Sequence, residues 1–168
     1  FVDEGTWDRA QEEYLWCLTR LRDDTAPVSP KKIWFALVLS SLASVYAKSA
    51  RYQDGIGCAR EALESDPTDV QARYWLGYSL AHSDNREEAA TVLRGLVYED
   101  SALVTSPLFT NKAMQTWMAR RELGQNEINR GNYAEAWSEL ELAVQENPSS
   151  QECWILLSIA ACALGNFE

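Results

Sequence analysis

The side chains best suited to chemistry are few and scattered along the sequence. The single histidine, His82, has no cysteine near it in the chain, and the four cysteines, Cys17, Cys58, Cys153 and Cys162, show no CxxC spacing. Metal sites need such ligands at short, regular separations. We therefore expect no metal and no cofactor, and we interpret the thiols as reduced, packed side chains of a cytosolic protein.

Acidic residues occur in close pairs, which could in principle supply the acid and the base of a hydrolytic reaction. The pairs are Glu12 with Glu13, Glu87 with Glu88, and Glu139 with Glu141. Each pair lies among apolar residues at helical spacing, so solvated helix faces explain them without a pocket. The glycines form neither a GxGxxG pattern nor a phosphate-binding loop. We predict that the protein is not an enzyme.

The charge balance narrows the choice of partners. Fifteen Lys and Arg residues against 25 Asp and Glu residues give the 168-residue chain a net charge of -10. Nucleic acids and anionic lipids attract clustered cations, so neither is an expected partner. The longest apolar stretches, Ile33–Leu39 and Cys153–Leu164, are shorter than the roughly 18 residues of a membrane span, and the first residues show no signal peptide. We expect a cytoplasmic protein.

The elements that position these residues are repeats. A shift of 34 residues aligns Leu42-Ala43 with Leu76-Gly77, and Leu123-Gly124 with Leu157-Ser158. A fixed period of this length is typical of stacked helical units. The two tandem pairs are out of step, which indicates an insertion around Val104 to Thr116.

Two units carry a longer pattern of Leu, small, aromatic and Pro positions on two successive helices. The first consists of Leu39, Leu42-Ala43, Tyr46, Tyr52, Gly55, Ala59, Ala62 and Pro67, and the second of Leu123-Gly124, Tyr133, Ala136, Leu140, Ala143 and Pro148. These residues resemble the tetratricopeptide repeat (TPR) family. The resemblance implies an all-α fold, a right-handed superhelix of antiparallel helix pairs with about eight helices. Small residues such as Gly77 and Gly124 let paired helices approach closely.

The repeat pattern divides residues 1–168 into one array. We predict the second helix of a truncated repeat at 1–23, repeats at 30–67, 69–103 and 104–148, the last with an N-terminal insertion, and the first helix of a truncated repeat at 150–168. The predicted helices are 6–23, 30–48, 52–65, 69–82, 86–99, 108–129, 133–146 and 150–164. The last helix is apolar on nearly every face, so we expect self-association through it.

The resemblance also implies where a partner would bind. In the family, first-helix residues line a concave groove. The candidate partner-binding residues at those positions are Ser40, Ser44, Gln71, Tyr74, Trp75, Tyr78, Arg121 and Gln125. Trp7 and Trp154 are interpreted as core residues.

Some co-chaperones of the family hold acidic peptide tails in a clamp of Lys, Arg and Asn. Arg121 and Gln125 stand where the first Lys and Asn of that clamp would be, but Leu156 stands where the second Asn belongs. The net negative charge of the chain also disfavours the binding of an acidic tail. The stretch from Ala119 resembles J-domain proteins with TPR arrays as well.

We therefore expect a non-catalytic scaffold, with a protein or peptide partner held as a peptide or helix in its groove. The alternatives are a structural spacer within a larger helical-repeat assembly and the TPR part of a J-domain co-chaperone.

Overall fold

The computed structural model describes residues 4–23, 28–98 and 112–165, and all regular structure within these ranges is helical. The helices are α1 (Glu4–Asp23), α2 (Val28–Lys48), α3 (Tyr52–Ser65), α4 (Val70–His82), α5 (Arg86–Tyr98), α6 (Lys112–Gln115), α7 (Trp117–Arg130), α8 (Tyr133–Glu146) and α9 (Gln151–Leu164). Short turns join α2 to α3, α4 to α5 and α7 to α8, so each pair forms an antiparallel hairpin. The predicted all-α helical-repeat fold is confirmed.

Most predicted helix bounds agree with the structure within two residues, but one predicted helix is wrong. The stretch expected to form a single helix over 108–129 contains two helices, α6 and α7, with Thr116 between them. The backbone of Thr116, at φ -117° and ψ -118°, is not helical and ends the run. The start of that stretch, and most of the predicted insertion from Val104, lie outside the described residues.

Local signals in the sequence explain where the helices begin and end. The Asp69 carboxylate accepts a hydrogen bond from the Ala72 amide at 3.0 Å, which caps the free N–H groups at the start of α4. At the end of α7, Gly131 has a positive φ of 80° and its amide donates to the last carbonyls of the helix. Only glycine adopts this conformation without strain, so the chain turns here into α8.

The paired helices pack so closely that glycine is required at the crossing points. A Cβ atom at Gly77 would lie 2.7 Å from the Leu93 side chain, and one at Gly124 would lie 2.5 Å from Cγ of Leu140. Both leucines are fully buried. The close approach predicted from the small residues is confirmed for the pairs α4–α5 and α7–α8.

Candidate partner-binding cleft

A cleft of about 480 Å³ opens between the first helices of successive hairpins. We call it the α4–α7–α9 cleft. Its walls come from three helices that are not adjacent in sequence, with polar and apolar side chains on the same surface. They are Tyr78, Ala81 and His82 of α4, Arg121, Glu122, Gln125, Asn126 and Asn129 of α7, and Glu152, Ile155 and Leu156 of α9.

Three of the eight candidate binding residues lie in this cleft. Tyr78, Arg121 and Gln125 line it together, and each is partly exposed. They come from two repeats, so the stacking of α4 on α7 brings them together. Their partner-binding role stays a prediction.

Three other candidates are buried, and the expectation that they line an open surface is wrong. Ser40 is 0% exposed, Tyr74 is 1% exposed and Trp75 is 6% exposed. The Tyr74 and Trp75 rings meet edge to face at 5.0 Å within the main hydrophobic core. The repeat positions were assigned correctly as first-helix positions, but here the neighbouring first helices cover them.

The last two candidates lie outside the cleft. Ser44 and Gln71 are half-buried, and the Ser44 hydroxyl donates to the Ser41 carbonyl within its own helix. Trp154, expected in the core, is instead 48% exposed. Its indole N–H donates to the Pro148 carbonyl at 2.9 Å, which holds the ring against the preceding turn.

Arg121 is the charged centre of the cleft. Its Nε donates to Oε1 of Glu122 at 3.1 Å, its Nη2 also bonds Glu122, and its Nη1 bonds Glu152 of the next first helix. The Tyr74 hydroxyl lies 3.4 Å from both Arg121 and Glu122. A guanidinium holds five N–H donors in a rigid fork, and here most of them already meet carboxylates of the same chain.

The local electrostatics keep this guanidinium charged. Burial by itself lowers the pKa of Arg121, but the adjacent Glu122 carboxylate outweighs it, so the pKa lies above its ordinary value. Burial and the charge of Glu122 raise the pKa of the Tyr78 hydroxyl. Arg121 is therefore cationic and Tyr78 neutral around neutral pH, and the described lining residues include two carboxylates and one guanidinium.

An aromatic cluster borders the cleft on the side of α4. The rings of Tyr78 and His82 stack with their centroids 4.2 Å apart, and Trp75 meets Tyr78 at 5.5 Å. The Lys48 ammonium lies 5.4 Å from the centroid of Trp75 and 5.2 Å from that of Trp7. This cluster already holds one cation of the chain against aromatic faces.

Glu152 and Asn126 are among the residues of the cleft that sequence reasoning missed. Glu152 stands in the first turn of α9, where an acidic residue is expected for its effect on the helix dipole alone. Asn126 follows Gln125, and its burial depends on how α5 packs on α7. Repeat position alone indicates neither contact, because both depend on the stacking of neighbouring hairpins.

Within the described residues, no helix is long and apolar enough to cross a bilayer. In the same part of the chain, no group of three or more His, Cys, Asp or Glu side chains is arranged to hold a metal ion.

The hairpins and the cleft define a helical-repeat solenoid, a class of fold whose stacked units present an extended surface. Residues 41–103 match the family model described as tetratricopeptide repeat. This stretch carries tetratricopeptide repeats, as its sequence pattern predicted. No curated protein matches its sequence significantly.

Solved structures share this fold at low sequence identity. The crystal structure of MamA matches with a TM-score of 0.67 and 18% identity, over 99% of this chain and 87% of that one. The NMR structure of the first TPR domain of human RPAP3 matches with a TM-score of 0.63 and 18% identity, over 78% of this chain and 93% of that one. The first TPR of Spaghetti (RPAP3), bound to the HSP90 peptide SRMEEVD, matches with a TM-score of 0.64 and 19% identity, over 79% and 95%. At these identities the likeness shows the fold.

Proposed function

We propose that this protein is a non-catalytic interaction scaffold that binds a segment of a partner protein in the α4–α7–α9 cleft. The observation that carries the proposal is the meeting of Tyr78, Arg121, Gln125 and Ile155 in one cleft. Ile155 is 60% exposed, although a large apolar side chain gains free energy from burial. A similar fold is known with a bound peptide, which supports this mode of binding.

The size of the cleft suits a few side chains of a peptide or helix. A volume of about 480 Å³ falls in the range that encloses a small ligand, roughly 300–1,000 Å³. The polar atoms of Gln125 and Asn129 stand beside apolar Ile155 and Leu156. Such a mixture provides both contact area and direction, as peptide grooves require.

Photocrosslinking tests whether a partner reaches the cleft. A photoreactive amino acid replaces Gln125 in one variant and Glu64, an exposed residue of α3 outside the cleft, in a control. We expect position 125 to crosslink a protein from the native cell extract and position 64 not to do so. Mass spectrometry of the crosslinked peptide then identifies the bound segment.

A matched pair of substitutions tests whether the cleft supplies the affinity. Ile155→Ser removes an apolar side chain that is 60% exposed in the cleft, whereas Trp16→Ser removes one that is 59% exposed on α1. We expect Ile155→Ser to weaken binding of the identified segment and Trp16→Ser to leave it unchanged, with both variants folded by circular dichroism. Unchanged binding by both variants would exclude the cleft as the site that binds this segment.

A further inference from the structure

The guanidinium of the α4–α7–α9 cleft is already paired within the chain. Among the described residues that line it, Arg121 is the only Lys or Arg, and Glu122 and Glu152 occupy its guanidinium. An incoming carboxylate that pairs with Arg121 would have to displace Glu152 or share its position. The ligand carboxylate would be repelled by the carboxylates of Glu122 and Glu152, so the cleft is poorly suited to an acidic segment.

The acceptors of the same cleft are in excess. The Asn126 side chain is 1% exposed, and its amide nitrogen donates to the Arg86 carbonyl at 2.9 Å. Its Oδ1 has no partner in the part of the chain that the structure describes. A buried acceptor without a donor costs roughly 1–3 kcal/mol, so a ligand donor that reaches this covered oxygen by shifting the side chains around it would relieve that cost.

The remaining carboxylate faces solvent at the rim. The Glu152 side chain is 71% exposed although one of its oxygens bonds Arg121, so its other lone pairs are available. Beside it, Ile155 is 60% exposed. A cation and an apolar side chain carried on one segment would therefore find complementary surfaces next to each other.

The aromatic border favours a cation for a separate reason. The electron-rich faces of aromatic rings attract Lys and Arg, and Lys48 already lies over Trp75 and Trp7. Tyr78 and His82 continue this surface into the cleft. The net charge of -10 adds a long-range attraction for basic partners.

We propose that the occupant of the cleft is a basic and apolar segment of a partner protein, with a Lys or Arg at Glu152 and Asn126 and an apolar side chain on Ile155. This inference rests on the proposed function and specifies the chemistry of its ligand. A cleft that holds an acidic tail needs an unpaired cation. Here Arg121, the only Lys or Arg among the described lining residues, is already paired with Glu122 and Glu152.

Two synthetic peptides of equal length and equal apolar content test the proposal by fluorescence anisotropy at physiological ionic strength. They differ only in whether the charged positions hold lysine or glutamate. We expect the lysine peptide to bind at least about tenfold more tightly, since opposite charges steer and hold it while like charges reject the other. Tighter binding of the glutamate peptide, or no binding of either, would overturn the proposal.

Charge variants show whether the preference comes from the cleft or from the net charge. Glu152→Gln and Glu64→Gln remove one negative charge each, but Glu64 lies outside the cleft. We expect Glu152→Gln to weaken the lysine peptide by about two- to fivefold, the range of an exposed ion pair, and to strengthen the glutamate peptide because Arg121 is released. Glu64→Gln should change neither. Equal effects of the two variants would mean non-specific attraction and refute the proposal.

The outcomes also separate this inference from the proposed function. If Ile155→Ser abolishes binding of the glutamate peptide, and that peptide binds more tightly to the wild type, the cleft is a binding site for an acidic segment. The scaffold role then stands and the basic ligand is wrong. If Ile155→Ser changes the binding of neither peptide, the cleft itself is not the binding site.

Discussion

The substitution Gly124→Ala tests the packing that holds first and second helices together. The added methyl group would lie 2.5 Å from Cγ of Leu140, 2.8 Å from its Cδ2 and 3.0 Å from its Cδ1. Favourable carbon contacts need about 3.5–4.0 Å. Leu140 is 0% exposed, so its side chain cannot move into solvent and α7 and α8 must separate.

The magnitude follows from two opposing contributions. Overpacking a filled core costs about 1–3 kcal/mol, whereas alanine gains about 1 kcal/mol over glycine within a helix. Gly57 provides the matched control, because it lies within α3 with no atom near the position of an added Cβ. Gly57→Ala should therefore show the helix gain alone, and the free energies of unfolding of the two variants should differ by about 1–3 kcal/mol.

Urea denaturation followed by far-UV circular dichroism measures this difference. We expect Gly57→Ala to unfold at higher urea than the wild type and Gly124→Ala to unfold at lower urea than Gly57→Ala. In the double variant Gly124→Ala/Leu140→Ala, the new methyl group has room, so the loss should be smaller than the sum of the single losses. If Gly124→Ala gains as much stability as Gly57→Ala, the close approach of α7 and α8 is refuted.

Two further predictions concern buried charges and thiols. The Glu127 carboxylate is 0% exposed and accepts hydrogen bonds from Arg94, Arg130 and Asn132. Glu127→Gln should lower the free energy of unfolding by about 1–3 kcal/mol in the same urea assay, because Arg94 and Arg130 keep Glu135 and Glu87 as partners; an unchanged free energy of unfolding would contradict this. Burial raises the pKa of the Cys58 thiol to about 11 from 9.0, so maleimide should label exposed Cys162 faster than Cys58 in the folded protein, and equally fast in urea. Between pH 9.0 and about 11 the Cys58 thiol loses its proton in the unfolded chain but keeps it in the folded chain. The free energy of unfolding should therefore fall as pH rises through this window, and less steeply in Cys58→Ala. Identical slopes for the wild type and Cys58→Ala would refute the raised pKa of Cys58.

The helices could be predicted from sequence because their signals are local. Asp69 caps α4, Gly131 ends α7, and the Gly77 and Gly124 positions mark the crossings; each depends on residues within a turn or one repeat. The exception is the single helix expected over 108–129. In the structure Thr116 separates α6 from α7, and no glycine or proline at that position marks the break.

The candidate cleft could be predicted only in part. The positions of Tyr78, Arg121 and Gln125 followed from their places in the repeat. The burial of Ser40, Tyr74 and Trp75 could not be predicted in this way. A side chain at a given repeat position is exposed or buried according to how closely the neighbouring first helix packs over it. That packing depends on the side-chain volumes of two neighbouring hairpins together.

The sequence by itself determined the class of this protein: a 34-residue period, glycines where helices cross and breaks between them specify stacked helical hairpins, because each unit can bury its apolar face only against its neighbours. Only the tertiary structure decided the character of the cleft. Arg121 pairs with Glu152, a residue 31 positions later, and Asn126 has an oxygen without a partner among the described residues. Both features arise where α9 and the hairpins α4–α5 and α7–α8 meet. Such contacts depend on the rotation between repeats, which long-range packing sets and local sequence does not.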